Sequence, residues 1–307
     1  MEGAISSPTE KRIAVVTGGN KGIGLEICRQ LALNGVRIIL TARDEKRGQE
    51  AVEKLREYGL SDVLFHQLDV TDSPSIASLA DFVRTEFGKL DILVNNAGIG
   101  GTTVNFETLN ASKPSNNLEG KGINGIPDWW KPHMQESLGR AEECLKTNYY
   151  GTRDVTEALI PLLESSISGR VVNVSSTLGQ LRVISNEKLK QELSNIDDLA
   201  EKRLVELLNL FIEDFKEGLL NAYGWPTVYS AYKVSKVLTN AYTRVLAKQY
   251  PNLCINCVSP GFVKTDLNWN TGILTTEEGA KGPVMLALQT DAGPSGLFFD
   301  QTEVSTF

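Results

Sequence analysis

A chain of 307 residues with 41% hydrophobic and 22% charged residues has the composition of an ordinary soluble protein able to bury a sizeable core. Its formal net charge of −7 and pI near 5.1 count against nucleic acid or an anionic membrane as partner. Four cysteines make no disulfide framework, and no apolar run approaches the roughly 20 residues that span a bilayer.

Residues 1–10 read as a flexible lead-in without a signal-peptide pattern, so a cytoplasmic address is expected. Residues 12–17 are a β-branched run, a strand buried on both faces. It leads straight into Gly18-Gly19-Asn20-Lys21-Gly22-Ile23-Gly24 and a stretch, 25–33, with apolar residues at helical spacing. A glycine-rich turn between strand and helix lets the backbone approach a pyrophosphate, and the helix N-terminus supplies free N–H groups and partial positive charge. Residues 36–41 form the second strand, ending in Thr41-Ala42-Arg43-Asp44. Dinucleotide folds that prefer NAD put a carboxylate there to bind the ribose hydroxyls. Here Arg43 takes that place and Lys21 sits in the glycine turn. Two cations clamp a 2′-phosphate, so the expected cofactor is NADPH/NADP+. Asp44 reads as the N-cap of a helix over 45–57.

A third strand at 63–68 is closed by Asp69-Val70, and a helix follows over 75–87. Residues 91–98 are a fourth strand running into Asn95-Asn96-Ala97-Gly98. This alternation demands a parallel sheet with right-handed crossovers. Residues 100–135 carry Pro114, Pro127 and Pro132 among many Gly, Asn, Ser and Thr, and read as a long irregular loop at the strand ends where ligands bind. Its Trp129 and Trp130 line a pocket or pack the loop down. A long helix is predicted over 137–163, containing Asn148. The fifth strand, 170–176, ends in Ser175 and Ser176; neighbours on a strand face opposite ways, so only one reaches a substrate. Residues 186–223 give one or two amphipathic helices with Leu204, Leu207, Leu208, Phe211, Ile212 and Phe215 on one face.

Tyr232-Lys233-Val234-Ser235-Lys236 lies on the next helix, which Pro251 stops. Tyr232 and Lys236 share a face. The ammonium is expected to lower the phenol's pKa, so that the tyrosine can pass a proton to a carbonyl oxygen near neutral pH. Tyr229 and Lys233 repeat the spacing, and helix geometry alone does not choose between the pairs. Cys254 and Cys257 lie three apart on a sixth strand and face opposite sides, so they cannot share a metal; with His66 and His133 the only histidines, no metal site is expected. A helix over 276–288 and a strand over 296–299 complete a sheet of about seven strands.

The motifs Thr17 to Gly24, Asn95 to Gly98, Asn148, Ser175-Ser176, Tyr232 to Lys236 and Pro260-Gly261 stand in the order found in the short-chain dehydrogenases/reductases, which the chain resembles over nearly its whole length. More narrowly it resembles the monomeric plant carbonyl reductases, the neomenthol dehydrogenase and salutaridine reductase group. The narrower features are residues 41–44, 65–72, 142–148, Gly224-Trp225-Pro226 and 260–266. The resemblance implies an α/β fold: a Rossmann-type doubly wound parallel sheet with helices on both faces, in one domain spanning 1–307. The stretch 180–225 would be a helical insertion before the active-site helix, covering the surface through which oligomeric members pair, so that a monomer is expected.

By the same resemblance Tyr232 is the general acid, preferred to Tyr229. Lys236 lowers its pKa and binds the nicotinamide ribose, Ser176, preferred to Ser175, donates to the substrate oxygen, and Asn148 holds a water in a proton relay. Cofactor contacts would come from Gly18, Asn20, Lys21, Gly22, Ile23, Gly24, Arg43, Asp69, Val70, Asn95, Ala97, Gly98, Pro260, Gly261, Val263 and Thr265. Leu178, Phe262 and Trp269 would line the substrate pocket with Ser176 and Tyr232. The implied reaction is NADPH-dependent reduction of a ketone or aldehyde on a bulky apolar molecule, such as a monoterpenoid or an alkaloid ketone, reversible as an alcohol dehydrogenase. Two rivals are reduction of a conjugated C=C bond, which in relatives goes with replacement of the tyrosine, and a non-catalytic NADP-binding protein, against which the intact Asn148, Ser176, Tyr232 and Lys236 argue.

Overall fold

The computed structural model describes residues 11–111, 128–289 and 293–307. The predicted lead-in at 1–10 and the part of the long loop holding Pro114 and Pro127 lie outside the described residues. The first half alternates as expected: β1 (Ile13–Val16), α1 (Gly22–Leu33), β2 (Arg37–Ala42), α2 (Glu45–Glu57), β3 (Val63–Gln67), α3 (Ser73–Phe87) and β4 (Ile92–Asn95). Asp44 caps α2 by accepting the Arg47 N–H at 2.9 Å. A two-residue pairing of β5 (Thr103–Val104) with β6 (Met134–Gln135) and a short helix α4 (Phe106–Ala111) give the long loop some regular structure at its two ends.

The predicted helix over 137–163 is α5 (Leu138–Leu145) and α6 (Gly151–Glu164), joined without a break by a π turn over Lys146–Tyr150. After β7 (Arg170–Val174) come α7 (Glu187–Ser194), α8 (Glu201–Lys216), the motif helix α9 (Ser230–Gln249), β8 (Cys254–Ser259), α10 (Thr276–Leu288), β9 (Phe298–Asp300) and β10 (Glu303–Ser305). The sheet has eight strands where about seven were predicted, in the order β10-β9-β8-β7-β4-β1-β2-β3. The addition is β10, which turns back at Gln301 and pairs antiparallel with β9; the other strand pairs are parallel.

Strand alternation sorts the apolar side chains onto two faces. Ile13, Val15, Ile39 and Leu93 join a cluster with α3, α5, α6, α8 and α9, while Ala14, Val16, Ile38, Leu40 and Val94 join one with α1, α2 and α10. Each such Val, Ile or Leu side chain, fully buried, contributes about 1.5–3 kcal/mol. Leu204, Leu207, Leu208 and Phe211 of α8 belong to the first cluster, so the inserted helix is anchored in the core by the face its spacing predicts. Order along the sheet reverses between β1 and β4. Crevices open at the carboxyl ends of strands at such a switch point.

Candidate active site

The glycine turn lies at that crevice. Gly18 and Gly22 have φ of +63° and +57°, values that a side chain makes costly. At Gly24 a Cβ would stand 2.4 Å from both the Gly18 carbonyl oxygen and the Asn96 Nδ2, so only glycine lets α1 approach β1 this closely. Asn96 braces the turn from β4: its Nδ2 donates to the carbonyls of Thr17 (2.9 Å) and Gly18 (3.2 Å). In return Thr17 Oγ1 accepts the N–H groups of Asn96 and Ala97 at 2.9 and 3.0 Å. No side chain caps α1 at Lys21, so its first N–H groups face the crevice with the helix dipole behind them.

Cations and caps surround this turn. Arg43 is exposed at the end of β2. Burial pushes the Asp69 carboxyl up, but hydrogen bonds from the Thr71 N–H and Oγ1, with the charges of Arg43 and Lys146, hold it below its ordinary value. Val70 is buried against the start of α6, where a Cβ on Gly151 would meet its Cγ2 at 2.8 Å. Lys21 Nζ meets Asp266 Oδ2 at 2.6 Å across the crevice, and Thr265 Cγ2 comes within 3.7 Å of the Cβ position of Gly22. The segment after β8, through Pro260 and Gly261 (φ +81°), thus closes over the glycine turn. Asn20 and Ile23 are half-buried in the turn, Ile23 packing toward the core.

Two expected cofactor contacts do not reach the crevice with their side chains. Asn95 is 4% exposed and donates to Thr156 Oγ1 (2.8 Å) and Asn173 Oδ1 (2.9 Å), inside the layer between sheet and α6. Val263 is buried against Gly279, whose Cβ position lies 2.4 Å from its Cγ2. For Asn95 the reason is the end of β4: the last strand residue points into the helix layer, and its neighbour Asn96 faces the glycine turn.

Across the crevice, Ser176, Tyr232, Lys236 and Asn148 come together. Ser176 lies beside the Tyr232 phenol, and its Oγ accepts the Leu178 N–H at 3.1 Å. Ser175 is turned into the core and donates to Asn240 Oδ1 at 2.5 Å. Tyr232 keeps some solvent access although protein atoms crowd its phenol. Burial pushes that phenol up to about 12, opposed by the neighbouring Ser176 hydroxyl. Burial likewise pulls Lys236, 6% exposed, down to about 8. Its Nζ donates to the Val174 carbonyl at 2.8 Å and lies 5.8 Å from the Tyr232 ring centroid. The phenol thus stands above its ordinary value, against the expectation of a lowered one, and burial is the first cause at both groups.

Asn148 sits in the π turn, 1% exposed. Its Oδ1 accepts the Ile99 N–H (2.8 Å), and its Nδ2 donates to the Ile99 carbonyl (2.9 Å) and Ser235 Oγ (3.0 Å). Both amide hydrogens are committed, so the side chain fastens the turn after Gly98 to α9. Tyr229 is at the N-cap of α9 in the left-handed region (φ +52°), outside the helical spacing that would pair it with Lys233, and its buried hydroxyl has no partner among the described residues.

Leu178 and Phe262 are half-buried beside this cluster in sequence, each just past a strand end. Trp269 is joined by ring contacts to the long loop: its centroid lies 6.1 Å from that of Trp130, which is 6.0 Å from Trp129 and 6.3 Å from Phe106. Sequence reasoning named Thr17 and Asn96 only as motif members, without a role, and passed over Asn240 and Glu136; the polar side chains of all four brace these turns. All four cysteines are free thiols.

Residues 12–119 match the short chain dehydrogenase family. The chain is 53% identical over 300 residues to (+)-neomenthol dehydrogenase of Arabidopsis thaliana, covering 96% of this chain and 98% of that one. It is 42% identical over 301 residues to the human Carbonyl reductase [NADPH] 1, covering 95% and 97%. The solved structure of salutaridine reductase from Papaver somniferum superposes with a TM-score of 0.87 at 50% identity, covering 94% of this chain and 99% of that one.

Proposed function

The chain belongs to the short-chain dehydrogenases, oxidoreductases that use a nicotinamide cofactor, and on that footing we propose that it is an NADPH-dependent reductase of a ketone on a bulky apolar molecule. The observation that carries this reading is the gathering of Ser176, Tyr232, Lys236 and Asn148 opposite a glycine cradle. The cradle fits a dinucleotide: the close approach at Gly24, the uncapped start of α1 and the nearby Lys21 and Arg43 suit a pyrophosphate and a 2′-phosphate. Carbonyl reductase [NADPH] 1 is a relative whose name supports NADPH over NADH. The names of the neomenthol and salutaridine relatives support a cyclic terpenoid or alkaloid ketone.

A bound reduced cofactor supplies the hydride. The protein's part is the proton and the orientation. Because Ser176 Oγ already accepts the Leu178 N–H, its own hydrogen is free to be donated, and a carbonyl oxygen held between Ser176 and Tyr232 receives two hydrogen bonds where negative charge develops. A phenol pushed up to about 12 is protonated at neutral pH and so is ready to donate. Lys236, buried beneath, is placed to bind the cofactor ribose and to pass a proton toward the phenol. Asn148 holds the wall between them through Ile99 and Ser235. We read the protein as a cytoplasmic monomer, since α8 already packs against α9 and α5.

The test is oxidation of NADPH, followed at its nicotinamide absorbance, against cyclic ketones and aldehydes with NADH as control. Turnover of apolar cyclic ketones with a preference for NADPH is expected. Equal rates with NADH would remove the roles of Lys21 and Arg43, and no turnover of any carbonyl would remove the reading.

A further inference from the structure

Helix α9 carries both Tyr232 and Lys236, yet its own N-terminus has no local cap. The residue at the N-cap is Tyr229, in the left-handed region and with no side-chain hydrogen bond to the first turn. The first helical residue, Ser230, is completely buried, so its N–H needs a partner from the protein. Glu136 supplies it. Its Oε2 accepts the Ser230 N–H at 3.0 Å and the Ser230 hydroxyl as well, and its Oε1 accepts the Thr102 hydroxyl at 3.1 Å. Chain position gives these bonds meaning. Glu136 follows β6 and Thr102 precedes β5, so the carboxylate gathers the two ends of the long loop and the start of α9 at one point.

We propose that Glu136 is a positioning residue for the reaction: a carboxylate cap from outside the helix that fixes the first turn of α9, and with it the Tyr232 phenol, to the base of the loop on the substrate side. An anion is suited to the task because the aligned peptide dipoles of a long helix favour negative charge at the N-terminus. Tyr232 is two residues beyond Ser230, and Ile99 is already fastened to α9 through Asn148 and Ser235. The wall of the crevice is thus pinned to the catalytic helix at both Asn148 and Glu136. The inference rests on Tyr232 being the proton donor.

The experiment compares Glu136→Ala, Glu136→Gln and Ser230→Ala in the full chain, by steady-state kinetics with NADPH and a ketone it turns over, and by amide hydrogen exchange of the first turn of α9. Gln keeps an oxygen for Ser230 and turns its NH2 toward Thr102, so it preserves the hydrogen bonds without the charge. Glu136→Ala is expected to lower kcat about 10- to 100-fold, the scale of a misplacement near 1 Å, with the KM for NADPH unchanged. Exchange at 230–234 should become fast in Glu136→Ala and stay slow in Glu136→Gln, which should also restore most of kcat. Ser230→Ala, which loses only the hydroxyl arm, should show a smaller loss of kcat, and it decides the matter if Glu136→Ala does not fold. Unchanged kcat in both Glu136→Ala and Ser230→Ala, or loss as large in Glu136→Gln as in Glu136→Ala, overturns the proposal. Exchange separates the two readings: a wild type inactive toward all carbonyls sinks the proposed activity, while exchange in α9 still judges the cap.

Discussion

Replacing Asn148 with alanine tests whether this side chain fastens the site or works in a proton relay. The substitution removes four hydrogen bonds, two to the Ile99 backbone, one to Ser235 Oγ and one to Cys144 Sγ. At about 0.5–1.5 kcal/mol each the sum is about 2–6 kcal/mol, the lower end applying where water reaches Ile99, which is half-buried. In a chain of this size that is a fall in melting temperature of roughly 3–9 °C. Gly98 loses its neighbour too, since its Cβ position lies 3.3 Å from Asn148 Oδ1, and the turn from Asn95 to Gly98 loosens on the cofactor side. The assay pairs thermal or urea unfolding with kcat, with and without NADPH. A fastening role predicts that stability and kcat fall together and that NADPH recovers part of both. A large loss of kcat at unchanged unfolding midpoint would refute this reasoning and return Asn148 to the relay.

Other expectations follow from the same geometry. Tyr232→Phe should lower ketone reduction by about 100- to 10,000-fold, whereas Tyr229→Phe, which deletes a buried hydroxyl without a partner among the described residues, should keep activity and stability; the reverse result would exchange their roles. Gly24→Ala should weaken NADPH binding at least about tenfold and cost about 1–3 kcal/mol of stability, because its Cβ meets backbone; calorimetric titration and melting check both. Glu157 is pushed up to about 7, first by burial and then by Glu201. A raised folded pKa means that its stabilising share is whole below about 4.5 and is lost as pH rises through about 7. Glu157→Gln should therefore melt higher than wild type at pH 8 and level with it at pH 5; the difference should be about 1 kcal/mol or less, since the side chain is 49% exposed. Equal shifts at the two pH values would contradict it.

Much of the sheet was legible because its signals are local. Helix α2 has its Asp44 cap, α10 starts at a capping box of Thr275 and Glu278, and β1 through β4 are dense in β-branched and other apolar residues. What was hidden depends on partners distant in sequence. The π turn at Asn148 is fixed by Ile99 and Ser235, 49 and 87 residues away. The inward turn of Asn95 depends on where β4 ends, and β10 is a three-residue strand too short to show a period. The ionisation of Tyr232 and Lys236 went against the expectation from spacing because burial acts on both. Spacing shows which groups are neighbours but not how much water has left them.

The aromatic chain from Trp129 through Trp130 to Trp269 makes the crevice observable by light. The chain has four tryptophans, and three of them are linked through Trp130 where the long loop meets the segment after β8. The fourth, Trp225, is buried elsewhere with its indole N–H bonded to Asp214 at 2.7 Å. Reduced nicotinamide absorbs where indoles emit, so an occupied crevice quenches the clustered three by energy transfer while Trp225 supplies a steadier background. Intrinsic emission can therefore follow cofactor arrival and movement of the loop base in the unmodified protein, without an attached dye.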